Sequence, residues 1–438
     1  ADAGYTLTTA DRNVFVGSGA GYQTVDVDNA VIIGYRAGYS NMTSAADGTI
    51  AIGYQAGYGI TSGASNVAIG KSALPALSTG DSNLGIGDNA GSTLQSGDFN
   101  HYIGMYSGFY QQTGDKNIAI GYRSQQGVSS GNRNVSNNTS VGHNSLYNII
   151  SNDSTAFGYQ AGYYASGSNN TFVGKDAGKG GTTSAPFSSG TDQVAMGYHA
   201  LTAFTTGTRN IAIGSQAAYR LSTGNYNVAI GDTSLAGLVT GGHNVVIGYY
   251  AGGVITSGES NIAIGKNSLA YTNTADDNIA IGQYASHRTG QFKAANNTIA
   301  IGRYTGYYNQ GSHNVFMGYY AGHGSSANAQ SPGYENTGIG SSALQSFISG
   351  SQNTAVGRWA LLSNTNGSNS TALGQQAGAY TTGSYNTFVG SEAGKGGTTS
   401  APFSSGESNT AVGYQALTAF TEGTHTTAIG YQAGKAQV

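Results

Sequence analysis

Asn261-Ile262-Ala263-Ile264-Gly265 decides the fold, because nearly everything else in the 438-residue chain is a copy of it or a spacer between copies. A strand-like run of four ends in a glycine, and three residues further on comes a small side chain, here Ser268. Aligned on the glycine, copies recur 24 times between Gly17 and Gly430; 13 of the 23 intervals are 17 residues long, and the others run from 16 to 23. A fixed period in this range is the signature of a solenoid or repeat array, in which each unit contacts only its neighbours. Length alone would suggest two or three domains. The unbroken repeat overrides that prior and predicts one continuous solenoid over residues 13–434, with a short lead or cap at 1–12 and a tail at 435–438.

Each coil has a readable internal logic. The residue before the anchor glycine is Ile, Val, Leu, Met or Phe in every copy, and the residue two earlier is usually Val, Ile or Thr. This period-2 alternation puts both on one face of a short strand, expected to be the inner one. Between them stands mostly Ala, as in Ala68, Ala119, Ala212, Ala263 and Ala280. These are expected to face outward, where small side chains let a second surface approach. Phe15, Tyr102, Phe172, Phe316 and Phe388 would then be outer fillers where the approach is looser.

Four residues before the glycine is Asn in 17 of 24 copies, with Thr and Ser as the main replacements, so stacked coils should build an amide ladder. Glycine permits the sharp turn that follows. Ala, Ser or Thr comes three residues after it in every copy, usually followed by Gly or Leu, which reads as a second, closely packed strand. A polar loop such as residues 256–260 closes the coil. The expected fold is all-β: a parallel β-solenoid (β-roll) of about 24 coils, mostly 17 residues per coil, with two short strands per coil.

Composition narrows the function. Charged residues make up 8% and the net charge is −3 with no Lys/Arg run, which leaves no electrostatic footprint for nucleic acid or an anionic membrane. No apolar run approaches the ~18 residues needed to span a bilayer, so no membrane insertion is expected. Cysteine is absent, so the chain can sit in an oxidising space without staples. The 71 glycines follow no Gly-X-Y triplet, which excludes collagen. The chain opens at Ala1 rather than Met and reads as processed or trimmed.

Catalytic chemistry finds no foothold. The eight histidines lie at different places in their coils and form no His-x-His pair. Residues 174–180 have a glycine-rich look but lack the Ser/Thr and the spacing of a phosphate loop. Asp26, Asp28 and Asn29, and Asp276, Asp277 and Asn278, offer oxygen ligands for Ca²⁺. The repeat of calcium-binding rolls is missing, so solvated turns are the preferred assignment. An ice-binding solenoid would want a regular Thr-x-Thr row, which is missing. No catalytic residue, cofactor site or metal site is therefore expected, and the chain is not expected to be an enzyme.

Two features point to contact surfaces. Tyrosine is abundant, at 31, and nine directly follow an anchor glycine, among them Tyr35, Tyr54, Tyr249 and Tyr319. Stacked coils turn these into exposed aromatic rows, suited to contact with neighbouring chains or to sugar stacking. A long-range duplication at an offset of 216 residues, 170–204 against 386–420, carries the longest spacing, 23, in each copy. It inserts protruding loops at 179–190 and 395–406 that bear Phe187 and Phe403.

At its Asn-x-Ala-Ile-Gly copies the sequence resembles the head repeats of trimeric autotransporter adhesins and similar repeats in phage tail-fibre-like proteins. The resemblance implies a parallel β-roll, a three-chain bundle, and display outside a cell or on a virion. Two functional expectations follow. The first is a non-enzymatic structural subunit of an extracellular fibre, its partner being itself as a trimer or polymer. It would assemble laterally through Ala and Tyr faces and end to end through uncapped coils. Asn13, Val14, Phe15 and Val16 of one copy would dock against Thr427, Ala428, Ile429 and Tyr431 of the next. The alternative is the rod-like part of an adhesin or tail fibre that binds cell-surface glycans through its Tyr rows and two long loops.

Overall fold

The structure, a computed structural model, describes residues 2–129, 134–183, 187–287, 295–324, 331–397 and 403–435. Each copy of the repeat forms one three-residue strand, numbered in chain order from β1 (Val14–Val16) to β24 (Thr427–Ile429). The protein is an all-β parallel solenoid with about 17 residues per coil, and a single 3₁₀ turn, Ser44–Ala46, is its one helical piece among the described residues. Pairing is in register, as in Ile262↔Ile279, Ala263↔Ala280 and Ile264↔Ile281. The coils fall into two compact units. Residues up to 216, with 220–223, hold β1 to β12 (Ile211–Ile213); residues 217–219 and those from 224 on hold β13 (Val228–Ile230) to β24.

The expected asparagine ladder is present and buried. Asn261 donates from its backbone N–H and from Nδ2 to Oδ1 of Asn244, at 3.0 Å in both cases. The second Nδ2 proton goes to the Ala275 carbonyl at 2.7 Å. Oδ1 of Asn261 accepts in turn from the N–H and Nδ2 of Asn278, both at 3.1 Å. The first unit repeats this through Asn66, Asn83, Asn100, Asn117 and Asn138. A fully buried amide with every donor and acceptor engaged escapes the desolvation penalty that an unpaired one would incur. Ala30 interrupts the ladder, and Gln193 joins it with a longer arm, accepting from the Asn210 N–H.

The strand faces are the reverse of the expectation. The middle residue points inward: Ala51, Ala68, Ala119, Ala212, Ala263 and Ala280 are fully buried, and so are Tyr102, Phe172, Phe316 and Phe388. Phe15 packs partly buried on the same core. The flanking Ile, Val, Leu and Thr side chains point outward, half-buried or exposed. The physical reason is the ladder itself. Asn stands two residues before the middle residue, so the period of 2 puts both on one face. Burying the amides therefore turns the Ala inward and the branched side chains out.

Core volume is balanced across the two walls of each coil. Where the inward residue is aromatic, the residue four past the anchor glycine is Gly. A Cβ on Gly108 would lie 2.5 Å from the Tyr102 ring, on Gly178 2.0 Å from Phe172, and on Gly322 2.3 Å from Phe316. Where the inward residue is Ala, the same place often holds a buried Leu, as at Leu201 and Leu361. Close packing thus survives large changes of side chain.

The second wall differs from the expected strand. It carries coil-to-coil hydrogen bonds, such as Gln55 N–H to the Tyr35 carbonyl and Gly57 N–H to the Ala73 carbonyl, both 2.9 Å. Its residues two and four past the anchor glycine have positive φ, for example Gln55 at 53° and Leu201 at 50°. Such a backbone curls instead of extending, so each coil has one extended strand and one turn-built wall.

Anchor glycines are imposed by neighbours as well as by φ. Gly265, at φ +124°, would place a Cβ 2.8 Å from the carbonyl carbon of Gly282 in the next coil, whereas at Gly430 a Cβ would meet nothing within 4 Å. Gly265→Ala should cost at least about 3 kcal/mol from strain and overpacking. Gly430→Ala should cost only the backbone strain, about 1–3 kcal/mol. Denaturant midpoints of the two variants check this ordering. Phe172→Ala should lower local stability by about 3–5 kcal/mol, and Gly178→Leu alone should also destabilise. The double variant should recover much of the loss, as read by hydrogen exchange in the surrounding coils.

Candidate interaction surface

Turning the branched side chains outward gives each unit an apolar strip two side chains wide. In the second unit it begins with Val228 and Ile230 and runs through Val245/Ile247, Ile262/Ile264, Ile279/Ile281 and Ile299/Ile301. Beyond Val315 the first column becomes threonine (Thr337, Thr354, Thr371, Thr387, Thr410, Thr427) while the second stays aliphatic. Among all outward strand residues, His101 alone can carry charge near neutral pH. Lys71, Lys175, Lys266, Arg303 and Arg358, each one residue past an anchor glycine, come two residues after the strip's second column in sequence.

Aromatic rows are present, the longer one five residues past the anchor glycines and only pairs of tyrosines in the column that directly follows them. Tyr5, Tyr22, Tyr39 and Tyr58 stack at 5.2–5.3 Å with planes within 7°, and Tyr35 stacks on Tyr54 at 5.4 Å. Inside a row both faces of a ring are taken by its neighbours, leaving edges and hydroxyls to solvent. Tyr249 and Tyr319, both exposed, do not continue a row of their own. Tyr249 lies beside Tyr250 with the Lys266 ammonium 5.7 Å from its ring, and Tyr319 meets Tyr320 edge-on at 4.6 Å. Phe187 packs against Tyr164 and Phe403 against Tyr380, each closing its loop back onto the coil. Residues 184–186 and 398–402 of those loops lie outside the described residues.

A denser pair of columns escaped the sequence. Tyr284, Tyr304 and Tyr320 stack at 5.0 Å steps, and beside them stand His287, Tyr307 and His323. The signal was there, in Tyr and His recurring two and five residues past consecutive anchor glycines.

The residues expected at the ends sit on the edge rungs. Asn13 donates from Nδ2 to the Val27 carbonyl at 2.7 Å and accepts from the Ala30 N–H, while Val14 and Val16 are exposed and Phe15 turns inward. Thr427 and Ile429 face outward, Ala428 inward, and Tyr431 is 74% exposed. Among the described residues, β1 and β24 each pair with one strand only.

The acidic turns have a structural use. Oδ1 of Asp28 accepts from the Asp11 N–H at 2.6 Å, Oδ1 of Asp26 from the Ser44 N–H at 2.8 Å, and Oδ1 of Asp276 from the Glu259 N–H at 2.8 Å. These carboxylates tie one loop to the next. Among the described residues no group of three His, Asp or Glu could hold a metal ion, and no helix is long and apolar enough to cross a membrane.

Crowding of the rings shifts their protonation. Burial, reinforced by Tyr147 and Tyr164, pushes the Tyr163 phenol up to about 12. Burial also raises Tyr250 and Tyr320 and lowers His323. No family model matches the chain, and no curated protein matches it either.

A phenol raised in the folded state favours folding fully below its unfolded value of about 10, and that contribution is lost as pH rises through the folded value. Stability should therefore hold to about pH 10 and fall between there and about pH 12. Tyr163→Phe should remove part of that fall, checked by thermal melts across the alkaline range.

Proposed function

We propose that this protein is a non-enzymatic structural subunit of an extracellular fibre, whose copies associate laterally through the outward aliphatic strip of their strands. The observation that carries this reading is the strip itself. Complete burial of a Val or Ile corresponds to roughly 100 Å² of apolar surface. With most side chains one-third exposed or less, and six of the second unit's 24 being Thr, the strip leaves on the order of 500–600 Å² per unit, at the upper end of the ~300–600 Å² patch of an ordinary monomer. It approaches the ~800 Å² that each partner buries in a standard interface. The contact differs from the one expected from the sequence: aliphatic side chains, not alanines, are what a second copy would meet.

The lack of cysteine and the low charge suit a cell-surface or virion setting. The alternative, a rod-like part of a trimeric adhesin or tail fibre that grips glycans through its Tyr rows, draws less support. Rings inside those rows, such as Tyr22 and Tyr39, spend both faces on their neighbours, and sugar stacking needs a free face.

The test uses the full chain in sedimentation and negative-stain microscopy. Wild type should associate side by side into bundles or threads as concentration rises. A variant carrying Ile262→Lys, Ile264→Lys, Ile279→Lys and Ile281→Lys should keep its β-sheet circular dichroism and stay dispersed. Wild type that remains single at every concentration would overturn the proposal.

A further inference from the structure

The first coil has a gap in its outer wall. The column two residues past each anchor glycine holds Arg36 in the second coil and Gln55 in the third, but only Gly19 in the first. Asp2 stands one rung earlier in the same column. Its φ of 67° matches 68° at Gly19 and 52° at Arg36, and Gly4 N–H bonds to the Ala20 carbonyl just as Gly21 N–H bonds to that of Ala37. In the neighbouring column Ser18 occupies the place that Tyr35 and Tyr54 fill in the following coils. The missing side chains open a notch of about 160 Å³, walled by Tyr22 and Tyr39 and bounded by Asp2 on one rim and Arg36 on the other.

We propose that this notch binds a single pyranose ring bearing a carboxylate, that is, a uronic acid unit of a polysaccharide. Three observations converge on that chemistry. The Arg36 guanidinium lies 5.3 Å from the Tyr35 ring and 5.4 Å from the Tyr39 ring, held by cation–π attraction, and among the described residues it has no carboxylate partner. A guanidinium so placed presents a planar fork of donors to solvent, which suits bidentate pairing with a carboxylate. Tyr35 stacks on Tyr54 with one face only. The Arg36 guanidinium lies over the same ring, and Tyr35 lines the notch together with Ser18, Tyr22 and Tyr39, so a sugar seated there meets an aromatic wall beside the cation. Asp2, about two rungs or ~10 Å from Arg36 at the usual strand spacing, supplies acceptors for the sugar's hydroxyl groups, and Ser18, one rung from Arg36, whose N–H donates to the Ser18 carbonyl at 3.0 Å, supplies a hydroxyl. The carboxylate and the hydroxyl edge of the ligand are thereby assigned to opposite rims.

The notch lies within one copy of the chain, so it exists whether or not copies associate laterally, and failure of either reading leaves the other standing. The experiment titrates the full chain with methyl glucuronide and, as the neutral control, methyl glucoside, followed by saturation-transfer NMR and calorimetry. Wild type should bind the glucuronide in the millimolar range with at least a tenfold preference over the glucoside. Arg36→Gln should abolish that preference. Gly19→Gln is the decisive variant. Gln occupies the same coil position at Gln55, Gln160, Gln216 and Gln376 with the same positive φ, and a Cβ on Gly19 meets nothing closer than 3.4 Å. The substitution should therefore fill the notch without disturbing the coil and eliminate binding with unchanged circular dichroism. Equal binding of the two sugars, binding that survives Gly19→Gln, or no glucuronide binding by wild type at millimolar sugar would each overturn the proposal.

Discussion

The interaction on which the rest of this structure depends is the buried carboxamide column. An asparagine such as Asn261 uses both its donors and both lone pairs of its oxygen on the coil before, the coil after and the returning loop. Such a group cannot be shifted by one rung or one residue without leaving a buried polar atom unpaired, at a cost of about 1–3 kcal/mol. The column therefore fixes the register of the strands, and fixing the register fixes which side chains face inward. The anchor glycines then set how closely the coils approach, because a side chain there would collide with the carbonyl of the next coil.

Two consequences follow from that inward amide. The interior is narrow, so it accepts Ala on one wall, or an aromatic ring opposite a bare glycine, but not bulk on both. The larger aliphatic residues go to the outer face, where they pack only on their neighbours up and down the stack. A single coil has little core of its own. The outward strip is thus a product of the same alternation that buries the ladder, and it leaves the fold with an apolar outer surface.

Much of the architecture was legible in the sequence. The period, the strand positions, the amide ladder, the turn glycines and the stacked tyrosines are all carried by residues such as Asn261, Gly265 and Tyr39 at fixed places in a repeat. The sidedness was not. Hydrophobicity alone favoured burying Ile262 and Ile264 and exposing Ala263, and that weighting was wrong because a polar residue, Asn261, decides the face. The spacing of two between Asn261 and Ala263 held the correction. The second wall was also misjudged. Ala, Gly and Leu three and four residues past the glycine suit a packed strand by composition, and nothing in them announces the alternating positive φ that Gln55 and Leu201 adopt. The notch beside Arg36 depends on which residue is missing from a column, at Gly19, and becomes visible only once the coils are stacked.

The most direct measurement of the central claim is side-chain amide exchange in a selectively Asn-labelled sample. If the carboxamides form the inner column, the Nδ2 protons of Asn244, Asn261 and Asn278 should exchange only through opening of the stack, orders of magnitude more slowly than those of the exposed Asn369. Exchange of the Asn261 carboxamide as fast as that of Asn369 would contradict the account, because the column would then lie open to water and could not determine the faces of the strands.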